Sequence, residues 1–256
     1  MNYKRKKLAL SALAISALFF LSAGVTLAAE NKKTEPTECN FGDKIQSLEL
    51  IQNNAKLGES EKIKAELQIR KQILRQIISC SSEEARLLKL KLTDTSIVDR
   101  LVEKLKLNLI TEINQAVDYY QNKNSQIDNL GIWGSKNMAQ QILDWRRGNY
   151  AQLIERTANL VAWNNNQGMI GVAEIRLAET KKDLEVEIDN QKIQEVMDEA
   201  ETNLTKAKTL NQRAREALLN SNNNSINYLE IIKQSLESLG KMYDNFFEIK
   251  ELATDT

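Results

Sequence analysis

Residues 96–128 read SIVDRLVEKLKLNLITEINQAVDYYQNKNSQID. Val98, Val102, Leu105, Leu109, Ile113, Ala116 and Tyr120 recur there at steps of 4, 3, 4, 4, 3 and 4, with no glycine between them. Steps of three and four place the apolar side chains on one face of an α-helix and leave the charged ones in water. Thr93-Asp94-Thr95 supplies a cap, so the pattern predicts a helix from about Ser96 to Asp128.

Little in the flanking sequence opposes the same reading. Pro36 is the only proline, which leaves residues 37–256 without one, where average usage would give roughly eleven. Proline breaks helix interiors and favours turns, so its absence predicts long helices and few, short connections. The composition is 5% aromatic and 27% charged, that of a helical bundle and not of a sandwich or a doubly wound sheet. The predicted fold class is therefore all-α: an elongated antiparallel bundle of helical hairpins with coiled-coil-like seams.

Residues 1–29 have the three parts of a secretory signal peptide: cations at Lys4 to Lys7, an apolar core from Leu8 to about Val25, and small residues at Ala28 and Ala29. The alternative is an uncleaved N-terminal membrane anchor, since the core approaches the length of a minimal span. Uncleaved, the chain would touch the membrane only through residues 8–29; in either case the rest is exported to the cell envelope or secreted. Without residues 1–29 the chain keeps 31 basic against 35 acidic residues, so no excess of positive charge points to nucleic acid. Residues 30–42 read as a flexible linker, and residues 43–256 as the helical-bundle domain.

Two helices are predicted next, over Asp43 to Leu57 and Ser60 to about Ser79, with Gly58 closing the first and Ser60 capping the second. Cys39 and Cys80 lie nearly symmetrically about Gly58. If the helices fold back antiparallel, the mismatch between them is only about 4.5 Å of rise. An oxidising compartment then makes Cys39–Cys80 a predicted disulfide. Ser81-Ser82-Glu83-Glu84 resembles a capping box for a short helix through Leu92.

Gly131 to Gly171 holds all three tryptophans and five of the nine glycines. A turn is expected at Gly131 to Gly134, with Ser135 capping a helix through Trp145, and Gly148 ending or weakening it. Asn164 to Gly168 looks like a break, yet Leu160, Trp163, Ile170 and Leu177 keep a seven-residue period across it. That conserved phase predicts continuous helix. Further on, a stripe of Val196, Ala200, Ala207, Leu210, Ala214 and Ala217 marks a helix from Asp183 to Leu219. Asn220 to Asn224 reads as a loop and Ser225 as the cap of the last helix. That helix carries Leu229, Ile232, Leu236, Leu239, Tyr243 and Phe246 as a heptad seam and should pair with its predecessor as a hairpin.

The chain lacks histidine, the commonest general base and metal ligand, and only two cysteines remain for a zinc site. No cofactor is expected, and Glu195, Asp198, Glu199 and Glu201 read as a solvated helix face rather than a metal site. Ser238 and Lys241 match a Ser-x-x-Lys motif without its companion motifs. Asp144 and Glu155 would suit carboxylate hydrolysis, but eleven residues of helix place them about 16 Å apart, beyond either hydrolytic geometry.

Trp133, Trp145, Tyr150, Trp163 and Asn165 form the candidate ligand-binding set, for a glycan, a peptide or a cell-wall ligand. The commoner role for such aromatics is as core wedges between helices. The sequence reading is thus an exported scaffold or interaction protein without catalysis. Its partner would be a protein or a second copy docked through helix seams, with the binding module and then the hydrolase as alternatives.

Overall fold

The computed structural model describes Cys39, residues 41–184, residues 191–220 and residues 227–254. The expected signal segment (1–29), most of the expected linker (30–42), the expected Asn220 to Asn224 loop beyond Asn220, and the expected cap Ser225 lie outside these. Every regular element among the described residues is helical, so the fold is all-α. The α-helices are α1 (Gly42–Asn53), α2 (Glu59–Asp94), α3 (Arg100–Gln126), α4 (Ile132–Trp145), α5 (Ala151–Leu184), α6 (Gln191–Leu219) and α7 (Tyr228–Thr254). A 3₁₀ turn (Ile127–Asn129) follows α3, and a π-helical turn (Arg146–Tyr150) joins α4 to α5 without a break.

Several helix boundaries differ from the sequence expectation, each for a local reason. Gly58 starts α2 rather than closing α1: its carbonyl accepts from Lys62 N, and its own N–H donates to Glu61 Oε2 at 3.2 Å. Ser81 caps nothing. With no helix breaker nearby, α2 runs straight through to Asp94 and buries the Ser81 side chain. The α3 helix begins at Arg100, because Asp99 Oδ1 accepts from Leu101 N (2.9 Å) and Val102 N (3.0 Å). Val98 therefore leaves the stripe and is fully exposed, while Val102, Leu109, Ile113, Ala116 and Tyr120 are buried.

The turn at Gly131 is shorter than expected. Ser135 N already donates to Gly131 O, so Ser135 sits inside α4 instead of capping it. At the last helix Asn227 takes the capping role, its Oδ1 accepting from Glu230 N at 3.2 Å. Asn164 to Gly168 is helix, as the conserved phase predicts, and Leu160, Trp163, Ile170 and Leu177 are all buried.

The described helices cluster into two compact units. The first comprises the chain through Leu90 together with Thr111–Leu153; the second comprises Lys91–Ile110 and the chain from Ile154 onward. In the first unit, Cys39 and Cys80 are disulfide-bonded with Cα atoms 6.1 Å apart. Phe41 and Leu48 of the α1 segment pack there with Ile73, Leu74, Ile77 and Ile78 of α2, and with Tyr120, Ile127, Met138, Ile142 and Leu143. Lys71 Nζ donates to Asp128 O (2.7 Å) and Arg75 pairs with the Asp128 carboxylate, which ties α2 to the turn after α3.

In the second unit, α5, α6 and α7 form an up-down-up bundle. Tyr228 OH donates to Asn159 O and Asn166 Nδ2 donates to Ser235 Oγ, each pair 69 residues apart in sequence, so α5 and α7 run parallel. Between them α6 runs antiparallel, held to α5 by ion pairs Lys208–Glu174 and Lys181–Glu201 and to α7 by Asn203 donating to Asn245. Ile170, Ala173 and Leu177 meet Ile193, Val196, Ala200, Leu204, Ala207, Leu239, Met242 and Ile249 in its core. Small side chains at Ala200 and Ala207 let the helices approach closely.

Inside this apolar core lies a polar knot. Asn166 is fully buried, and its Nδ2 donates to Asn211 Oδ1 (2.8 Å) and Ser235 Oγ (2.9 Å). Ser235 Oγ in turn donates to Ala207 O (2.8 Å), and Asn211 Nδ2 donates to Gln167 Oε1 (2.7 Å). The knot explains a departure from the expected α7 seam. Tyr228, Ile232, Ser235, Leu239, Met242 and Ile249 face inward, whereas Leu229 and Leu236 are exposed.

Two outcomes follow. Reducing Cys39–Cys80 removes about 4 kcal/mol in the chain-entropy model for a loop of this length, read as a lower denaturation midpoint with reductant. Replacing Asn166 with Ala strands the groups it satisfies and costs about 2 kcal/mol, measured by the same denaturation.

Candidate functional site

The structure gathers its most unusual side chains around Arg146. That residue opens the π turn, and Met138, Ile142 and Tyr150, at four-residue steps along the same line, are all buried. A helix in phase would thus carry an arginine into the core of the first unit. The extra residue of the π turn keeps Tyr150 turned inward beyond it.

The guanidinium is anchored on several sides. One terminal nitrogen donates to Ser81 Oγ (2.9 Å) and to Tyr120 OH (3.0 Å), and the other to Glu84 Oε2 (2.9 Å). The Tyr150 ring lies beneath it, 5.0 Å from centroid to guanidinium carbon. Burial opposes the charge, but the fields and hydrogen bonds of Tyr120 and Glu84 more than offset that, so Arg146 titrates above its ordinary range. Burial pushes the Tyr120 phenol up to about 12, and drives Tyr150 upward still further with help from the Glu84 charge.

Aromatic rings extend the cluster. Trp145 stacks on Tyr119 with centroids 4.1 Å apart and interplanar angle 14°, and meets Tyr120 edge-on at 5.4 Å. Tyr150 lies 6.0 Å from both Tyr120 and Trp145. The outer face of the stack carries Lys123, whose Nζ sits 5.5 Å from the Tyr119 centroid and donates to Gln141 Oε1. Chemically this is a desolvated cation locked by a carboxylate and two hydroxyls, with one half-buried stacked pair reaching the surface.

Only two of the five candidate ligand residues, Trp145 and Tyr150, belong to this cluster. Trp133 projects from the first turn of α4, 77% exposed, with Lys136 Nζ 5.2 Å over its ring. Trp163 and Asn165 belong to the second unit, where Trp163 is sealed in the core and Asn165 faces solvent. Asp144 and Glu155, weighed above for hydrolysis, are both exposed, and Asp144 accepts from Gln140 at 2.8 Å. A shallow groove of about 430 Å³ opens between the start of α6 and the end of α7, lined by Lys192, Asp244, Phe247, Glu248, Glu251 and Leu252. Among the described residues no cluster of three or more metal-ligating side chains occurs.

The sequence reading did not foresee Ser81, Glu84, Tyr120 and Arg146 as one site. A usable signal existed: Arg146 falls on the apolar line through Met138, Ile142 and Tyr150, and a cation at a core position demands a partner.

Replacing Arg146 with Leu leaves Glu84 without its cation and should cost about 2 kcal/mol, discounted for the partly exposed carboxylate, with loss of near-ultraviolet dichroism from Trp145. The tyrosines predict alkaline lability. Their stabilising contribution is intact below the unfolded value near 10, where both states hold the proton. It drains away as pH climbs toward 12 for Tyr120, because only the unfolded chain ionises in that interval. Phenolate absorbance should therefore show Tyr120, Tyr150 and Tyr228 ionising together with loss of helix, after the more exposed tyrosines. No protein-family model matches the chain, and no curated protein and no solved structure matches it.

Proposed function

We propose that the protein is an exported helical scaffold or interaction module of the cell envelope that works without catalysis. The observation that carries this reading is the apolar surface left on its helices. Met169, Val172 and Ile175 on α5 and Leu229, Leu236 and Phe247 on α7 are 39–67% exposed, on helices whose inner faces are already filled. A chain that keeps two apolar faces on one helix has more binding surface than its own fold consumes. The bonded Cys39–Cys80 pair supports an oxidising compartment, and the signal-like residues 1–29 support export.

Fractionation of tagged protein from its own host, with thiols trapped by alkylation, tests this. Recovery in the envelope or medium, with Cys39 and Cys80 alkylated only after reduction, is the expected result. Cytoplasmic protein with both thiols open to alkylation would contradict it.

The Tyr119–Trp145 stack favours a second reading, a module that binds a glycan or peptide on an aromatic platform. Titrating the protein with cell-wall fragments should then change tryptophan emission in the parent and not in a Trp145→Phe variant. An unchanged spectrum in the parent removes that reading.

A further inference from the structure

We propose that the exposed face shared by α5 and α7 is a self-association surface, occupied by the same face of a second copy in antiparallel orientation about a two-fold axis at Val172. The inference rests on the interaction-module reading and names its occupant.

The surface begins with α5. Its inner line, Asn166, Ile170, Ala173 and Leu177, is buried against α6 and α7, yet Met169, Val172 and Ile175 on another side are 43%, 49% and 61% exposed. Val161 lies three turns earlier on the same line as Val172 and is buried, so one face of one helix is covered and then uncovered. Gly168, one turn before Val172, has open space where a Cβ would stand. Glycine weakens a helix interior, and nothing among the described residues crowds this position, whereas a closely approaching helix would.

The α7 helix widens the patch. Arg176 lies over the Tyr243 ring, 5.4 Å from its centroid, which sets the uncovered side of α5 against the Leu229, Leu236 and Tyr243 side of α7. The result is an apolar strip two helices wide, the shape left when a bundle lacks a neighbour on one side.

Charge selects a second copy, and its direction. The level pairs Asn159–Tyr228, Asn166–Ser235 and Arg176–Tyr243 put Val172 at the height of Gly240, and Asn165 within one residue of the height of Lys233. Glu179 stands seven residues above Val172, Lys233 seven below Gly240, each about 10 Å from the mid-level. A two-fold axis crossing the strip at Val172 therefore brings Glu179 level with the partner's Asn165 and the partner's Lys233, and does so twice. It also sets Met169 against the partner's Ile175. Parallel packing of α5 on α5 would instead oppose Glu179 to itself and Arg176 to itself, which costs energy. An isologous contact of this kind closes on itself and yields a dimer, not a filament.

Sedimentation velocity across a wide concentration range, joined to cysteine trapping, tests the proposal on the purified protein. Val172→Cys places one new thiol on the axis of a chain whose own two cysteines are bonded, and should give a disulfide-linked dimer under mild oxidation. Lys241→Cys, at nearly the same height but on the other side of α7, should stay monomeric. Val172→Glu, at an exposed position that leaves the helical dichroism unchanged, should weaken dimerisation at least tenfold. Glu179→Lys should weaken it as well, and adding Lys233→Glu should restore it. A protein monomeric at every concentration, equal trapping at both cysteines, or a Val172→Glu variant that dimerises like its parent overturns the proposal. A monomer found outside the cytoplasm with its disulfide closed would overturn the dimer alone and leave the export reading standing.

Discussion

One buried amide sets the arrangement of the second unit. Asn166 is fully buried, so its Nδ2 must find acceptors inside the core, and Asn211 and Ser235 are the two it finds. Leaving those groups unpaired costs more than pairing them gains, so the knot acts chiefly against wrong registers. Sliding α6 or α7 by one turn would keep apolar surface in contact but would strand Asn166, Asn211 and Ser235 in an apolar interior. Apolar seams supply the attraction among these helices, and the polar knot chooses which alignment they adopt.

The first unit solves a comparable problem with a charge. Arg146 is carried inward by the phase of its own helix and is made tolerable by Glu84, Ser81, Tyr120 and the Tyr150 face. Ser81 directly follows Cys80, so the disulfide that fastens the linker end to α2 also fixes the backbone from which Ser81 reaches Arg146. Two constraints far apart in the sequence, an oxidised cysteine pair and a buried cation, thereby act on adjacent residues of one helix turn.

Much of this was legible in the sequence where the signal was periodic. The Val102 to Tyr120 stripe, the phase kept from Leu160 to Leu177 and the symmetry of the cysteines about Gly58 each report a geometric repeat, and each has its counterpart in the structure. What escaped reading depends on competition between equals. In α7 two apolar lines run side by side, one through Leu229 and Leu236 and one through Tyr228 and Met242, and hydrophobicity cannot rank them. Ser235 decides in favour of the second, because only that rotation lets it meet Asn166. Capping residues escaped in the same way: Ser81 and Ser135 are both acceptable caps locally, yet α2 runs on through Ser81 and α4 begins before Ser135, because a helix extends at little cost where no proline intervenes. The candidate ligand set was divided because exposure of an aromatic ring is decided by neighbours distant in sequence.

The account depends most on backbone that stays helical through two stretches whose composition invites a break, Arg146 to Tyr150 and Asn164 to Gly168. Residue-resolved hydrogen exchange over Ile132 to Leu184 addresses that claim directly. Slow exchange through both stretches, with Asn166 and Gln167 protected as strongly as Leu160 and Ile170, is the predicted result. Amides at Asn164 to Gly168 exchanging at the rate of an open loop, while those on either side remain protected, would contradict the account.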